Sequence, residues 1–334
     1  MSIKQLTVQP KLSDEETEAL AGEFITYDKD RTKDKLIEPE FIVDCDVDMY
    51  KENGEPLVLF RKRQVPERHA STALKALYHA ATEYGNRGVA AGKLKYHNYG
   101  KDSKESRGKK LVNVGEDDIR ARYMKEDGTI SKTVTAMTVP SGIIGAYDRH
   151  VRFPYCRLTK FTMEHPEKII EALPFIQAVN EVFKRNLPDR YGIQLGYCNK
   201  THANYVFPNT AFTTVTVNRN WRTAVHTDAQ DLKAGFGVLS VLTEGRFKGG
   251  IYTIPKYGIG VDMRHGDVLL TDVHEYHCNT EIIPVTKNYT RLSTVFYYRT
   301  RVLGCKSLEE EREVAKNRKE GTPLYVDFEG EFPA

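Results

Sequence analysis

The chain has 334 residues, 40% hydrophobic and 28% charged, so a sizeable core is within reach and global disorder is excluded. Lys plus Arg number 49 against 46 for Asp plus Glu, a net of +3 that rules out a histone-like polycation but leaves room for a local basic groove. Stretches such as Gly142–Tyr147 and Ala172–Val179, the longest apolar ones, are too short to span a bilayer, and the polar opening lacks the apolar core of a secretory signal.

Residues 1–60 read as an extended arm with short strands at Phe41–Val43 and Leu57–Phe60. Leu74, Leu77 and Tyr78 predict a helix around Ala70–Glu83, which the glycines of Asn86–Gly92 interrupt. Residues 93–110 concentrate Lys93, Lys95, Lys101, Lys104, Arg107, Lys109 and Lys110 around Tyr96 and Tyr99. That segment suits either a solvated loop or a strip contacting phosphates, with Arg61–Arg63 as a second basic candidate. Next, Ile169, Ile170, Leu173, Ile176, Val179, Val182 and Phe183 form a helical stripe opened by Pro166, with Pro174 placed to kink or divide it.

From Ile193 onward short β-rich runs follow one another: Thr213–Asn218, Phe236–Leu242, Ile251–Ile254, Gly258–Val261, Val268–Thr271 and Leu292–Tyr298. They predict a sandwich or barrel of jelly-roll type, followed by a charged surface helix over Ser307–Lys319. Five cysteines (Cys45, Cys156, Cys198, Cys278 and Cys305) without CxxC spacing disfavour a disulfide scaffold or zinc ribbon and favour a soluble protein in a reducing intracellular setting.

His226-Thr227-Asp228 has the spacing that puts an imidazole and a carboxylate on one face; His265-Gly266-Asp267 shares it but reads as a turn entering a strand. A facial triad needs a further His from a later segment, and only the first pair has one suitably followed, by His277 and then Arg291 inside a strand. Arg291, Ser293, Val295 and Tyr297 share one face of that strand; if buried there, the guanidinium needs an anion or a polar partner and matches a dicarboxylic cosubstrate, the alternative being a surface Arg paired with an acid. His274 reads as a supporting residue, and Cys278 as a small core residue.

Asn218–Asp228, Gly235–Val241, Phe247–Gly250, Gly266–Asn279 and Arg291–Tyr297, with Tyr155–Phe161 ahead of them, together resemble the TET/JBP branch of iron(II)- and 2-oxoglutarate-dependent dioxygenases, nearest to the compact phage and viral forms. The resemblance covers roughly Asn86 to Arg299 and implies an α+β fold: a double-stranded β-helix (jelly-roll, cupin-like) core with flanking helices. The expected organisation is an N-terminal extension over 1–85, a dioxygenase domain over 86–305 with its core about 190–300, and a C-terminal helix and tail over 306–334.

The resemblance also implies His226, Asp228 and His277 as iron ligands, Arg291 with Ser293 for 2-oxoglutarate, and dioxygen as the oxidant. The implied reaction hydroxylates the 5-methyl group of a pyrimidine in DNA, presented flipped or single-stranded, with 5-methylcytosine preferred and thymine the alternative. Asn218, Asn220, Trp221, Arg222 and Tyr297 are the candidate base contacts, and a monomer that does not engage membranes is the default. The rival classes are a 2-oxoglutarate hydroxylase acting on a protein or small molecule, and a non-catalytic DNA-binding relative.

Overall fold

Alternation along two central strands decides the architecture. On Gly237–Glu244, Val238 and Leu242 enter one apolar cluster while Leu239 and Val241 enter another; on Val268–Thr271, Val268 and Leu270 join the first and Leu269 the second. Successive strand side chains point to opposite faces, so this sheet is buried on both sides. In the computed structural model the described residues are 3–84, 87–92, 110–112, 122–124, 130–134, 139–149, 153–228 and 231–317. The basic segment from Lys93 lies outside them up to residue 109.

The larger sheet has ten strands. Its order is Lys4–Thr7, Val47–Tyr50, Pro56–Arg61, Val268–Thr271, Gly237–Glu244, Thr290–Tyr297, Thr214–Arg219, Val139–Tyr147 and Arg157–Leu158, with Glu83–Tyr84 pairing onto Val139–Tyr147. A second sheet joins Cys278–Asn279, Tyr252–Ile254, Ile259–Val261 and Phe41–Val43. Phe60 pairs with Leu269 in the large sheet and Phe41 with Ile259 in the small one, so strands from the first sixty or so residues complete both sheets. The fold is mostly sheet with helices.

Helices cover one face of the large sheet. Glu67–Leu77 contributes Ala70, Ala73, Leu74 and Leu77 to the first cluster, and Pro166–Asn186 contributes Phe175, Ile176, Val179 and Phe183. Pro174 does not divide its helix. An interior proline costs roughly 3 kcal/mol or more, and burial of those four side chains offsets it. The β-texture expected from Ile193 begins later: Pro188–Lys200 is helical, with a proline in its first turn and Tyr191, Gln194 and Cys198 buried at helical spacing. Leu308–Lys316 is the expected charged helix, capped reciprocally by Ser307 and Glu310. No helix among the described residues is long and apolar enough to cross a membrane.

Two further expectations change. Cys156 and Cys305, 149 residues apart in sequence, are joined as a disulfide, so the cysteines are not all free thiols. Arg61 is not a surface residue: it is buried against Asp48 at 2.7 Å, and its Nε donates to Asn186 Oδ1 at 2.8 Å. A paired internal cation cannot serve a basic strip.

Gly142 lies where the Val139–Tyr147 strand passes the Tyr78–Ala80 turn that follows the Glu67–Leu77 helix. A Cβ there would come within 1.8 Å of the Ala80 carbonyl oxygen. Gly142→Ala is therefore expected to lower stability by about 1–3 kcal/mol, read as a shift of the urea midpoint.

Candidate active site

His226 and His277 are zipped together by an isolated antiparallel bridge. The His226 N–H donates to the His277 carbonyl at 3.0 Å and the His277 N–H to the His226 carbonyl at 2.9 Å. The Asp228 N–H donates to Val273 at 3.1 Å, which ties the third residue to the same later segment. The imidazole centroids stand 4.4 Å apart.

Each ring has Nδ1 facing a backbone carbonyl, Ala224 at 2.8 Å for His226 and Glu275 at 2.9 Å for His277. A carbonyl only accepts, so both Nδ1 atoms donate, which leaves Nε2 as the ring atom that can bind a metal. Those Nε2 atoms lie 3.7 Å from Asp228, one near each carboxylate oxygen. One ligand atom from each of the three residues falls within 4.8 Å of the others. Two imidazoles whose Nδ1 atoms are engaged by backbone carbonyls, with one carboxylate between their Nε2 atoms, form a donor set that fits iron(II).

Burial, reinforced by His226, pushes the His277 imidazole down to about 4. An unfolded His titrates near 6.5, so the unfolded chain takes up a proton that native His277 refuses. The resulting stability is fully present above pH ~6.5 and is lost as pH falls toward about 4. The metal-free protein is expected to lose on the order of 3 kcal/mol across this window. Urea titrations at stepped pH check this, and His277→Gln should flatten that part of the profile.

Arg291 sits on Thr290–Tyr297, whose Leu292 and Phe296 face the helices. Arg291, Ser293, Val295 and Tyr297 therefore take the opposite face, on which Val295 packs into the cluster beneath the small sheet. Arg291 is 1% exposed; its guanidinium reaches the Gly250 carbonyl at 3.3 Å and lies 5.8 Å from the Phe247 ring centroid, while Nε has no hydrogen-bond partner. No carboxylate pairs with it among the described residues. Burial and then repulsion from Arg264 pull it down to about 10. A buried cation in this state is relieved by an entering anion.

The remaining sequence candidates separate in space. Asn218 pairs in register with Ser293 and accepts a short hydrogen bond from the Ser141 hydroxyl. Tyr297, across from Thr214, places its hydroxyl 3.4 Å from Thr216 Oγ1, and burial pushes the phenol up. Asn218, Ser293 and Tyr297 thus line the Arg291 face. Asn220 instead holds the Arg291 backbone: its Oδ1 accepts from the Arg291 N–H at 2.7 Å, at a positive φ of 49° that Asn tolerates. Arg222 is spent on the N-terminal segment, pairing with Asp34 at 2.9 Å, donating to the Ile25 carbonyl at 2.6 Å and covering the Phe24 ring. Trp221 is half-buried.

His274 contacts Asp272 at 3.2 Å, and Cys278 is a buried thiol pushed up to about 12. In the competing pair, Asp267 accepts the Arg63 and Arg264 N–H groups and His265 accepts from Thr243, which spends both on the turn.

Sequence reasoning missed Asp231 and Arg299, whose backbones form a bridge. Desolvation and Asp228 push the Asp231 carboxyl well above the usual range, against Arg299. Arg299 pairs with Asp148 at 2.7 Å and covers the Tyr147 ring. The only local signal was an acid shortly after Asp228; the Arg and its partners come from distant strands.

Residues 143–300 match the oxygenase domain of the 2OGFeDO superfamily, Tet_JBP. The chain is 38% identical over 193 residues to thymine dioxygenase JBP1 of Trypanosoma brucei brucei, covering 56% of this chain and 22% of that protein. It is 33% identical over 215 residues to the bifunctional helicase and thymine dioxygenase JBP2 of Leishmania tarentolae, covering 59% and 19%. The chain thus spans about a fifth of the length of these curated relatives. A solved structure of NgTET1 in complex with 5mC DNA has a similar fold, with a TM-score of 0.51 and 11% identity, covering 84% of this chain and 89% of that one.

Proposed function

We propose, from the match of residues 143–300 to the Tet_JBP oxygenase domain, that this chain is an iron(II)- and 2-oxoglutarate-dependent dioxygenase that hydroxylates the 5-methyl group of a pyrimidine in DNA. The observation that carries the reading is the convergence of His226, Asp228 and His277 on one point, with the unpaired, buried Arg291 on the sheet face below. The large and small sheets are read as the two walls of a double-stranded β-helix, supported by the apolar cluster between them.

Iron(II) with 2-oxoglutarate and dioxygen supplies the oxidant for an unactivated methyl C–H bond. His226 and His277 would hold the metal through Nε2 and Asp228 through its carboxylate. Arg291 binds the distal carboxylate of the cosubstrate, and the Ser293 hydroxyl lies on the same face. The apolar floor of Leu239, Val241 and Val295 excludes water and strengthens every charge contact inside. A base stacked within a duplex cannot reach such a site, so a flipped or single-stranded nucleotide is required. Asn218 and Tyr297 offer polar atoms to its pairing edge.

Thymine and 5-methylcytosine share the reacting methyl and differ at that edge. The two relatives described above are named thymine dioxygenases, which favours thymine giving 5-hydroxymethyluracil over the 5-methylcytosine preferred from sequence. Nucleoside mass spectrometry after incubating DNA with enzyme, iron(II), ascorbate and 2-oxoglutarate tests this. Hydroxymethyluracil is the expected product; hydroxymethylcytosine alone would reverse the substrate choice. Succinate formed with no change in any DNA base would point to a protein or small-molecule hydroxylase.

A further inference from the structure

Tyr252 is a core residue of the small sheet, 3% exposed, and its register opposite Asn279 brings it alongside His277. The Tyr252 and His277 rings are stacked, with centroids 5.4 Å apart and 25° between planes. His226 lies against His277 at a tilt of 52°. The Glu275 carbonyl fixes Nδ1 of His277, yet the terminal torsion of a His side chain has broad minima, so that contact alone leaves Nε2 free to swing. A flat ring lying over the imidazole removes that freedom.

The Tyr252 hydroxyl is buried with the Thr271 hydroxyl as its polar neighbour, a contact too loose in geometry to make a full hydrogen bond. A phenylalanine would keep the ring over His277 and give up only that loose contact, so ring and hydroxyl can be tested separately.

Building on the metal-centre reading above, we propose that Tyr252 is a positioning residue: its ring clamps the His277 imidazole in the plane that presents Nε2 to the metal. Loss of an outer partner of a metal ligand typically weakens metal affinity by about 10–100-fold, and this ring belongs in that class.

The test is anaerobic Mn(II) titration of the full chain, following the free ion by electron paramagnetic resonance. Tyr252→Met, which fills the volume without a ring, is expected to weaken binding by about tenfold or more, while Tyr252→Phe stays within about threefold of wild type. Tyr252→Phe should melt within about 5 °C of wild type, which keeps the comparison valid if the Met variant folds poorly. Ile254→Ala, a cavity in the same strand, should lower the melting temperature and leave Mn(II) affinity unchanged.

Wild-type affinity in Tyr252→Met, or equal weakening in the Met and Phe variants, overturns the proposal. Asp228→Ala separates the two levels: if it binds Mn(II) as wild type does, the metal-centre reading itself fails.

Discussion

Asp228→Ala is expected to abolish turnover, with 2-oxoglutarate consumption and base oxidation falling by about 10³-fold or more, since a bound metal contributes several kcal/mol to such chemistry. The carboxylate is the only anion among the three converging ligands, lying 3.7 Å from both imidazole Nε2 atoms. Without it, two neutral donors hold a divalent cation poorly. The fold should survive, because the structural contact of Asp228 is its backbone N–H to Val273, which alanine keeps. Succinate release and anaerobic metal titration are the measurements. Wild-type turnover in this variant would remove Asp228 from the metal centre, whereas no turnover by the wild type itself would leave the non-catalytic DNA-binding alternative.

The second large effect concerns Arg291. Arg291→Gln is expected to raise the KM for 2-oxoglutarate by about 10²–10³-fold, since breaking a buried charge pair costs roughly 3–5 kcal/mol. Metal affinity should stay near wild type, because Arg291 belongs to a different strand from the three ligands. Stability carries an opposite sign that makes the test sharper. In the ligand-free protein the guanidinium is buried with Nε unsatisfied and no carboxylate partner among the described residues, so replacing it with methionine should not destabilise the fold. An unchanged KM in Arg291→Gln would place the anion pocket elsewhere.

Much of this site was legible as order along the chain. His226 and Asp228 are separated by one residue, and a two-residue period fixes which side chains of Thr290–Tyr297 lie with Arg291. That period is a property of the extended backbone, so it needs no knowledge of the partners. The helix over Glu67–Leu77 and the capped helix after Ser307 were readable for a similar reason, since their signals are local.

Direction in space was not legible. Arg222 and Asn220 adjoin the His226 segment in sequence, yet Arg222 turns to Asp34 and Ile25 and Asn220 closes on the Arg291 backbone. Arg61 reads as surface charge until Asp48 and Asn186 are brought around it. The Pro188–Lys200 helix was hidden by its own glycines and tyrosines, which are poor helix formers, and it is stabilised by burying Tyr191, Gln194 and Cys198.

Along the chain alone, two imidazoles, one carboxylate and one guanidinium stand in a fixed order on or beside β-rich segments, which limits the chemistry they could support. Only the tertiary structure decided that His226 and His277 meet through a two-bond bridge, that Asp231 and Arg299 come together, and that strands from the first sixty or so residues close both sheets. The physical reason is the range of the interactions. Spacing and alternation are set by covalent geometry over a few bonds, whereas these pairings depend on burial and hydrogen bonds between segments far apart in the chain.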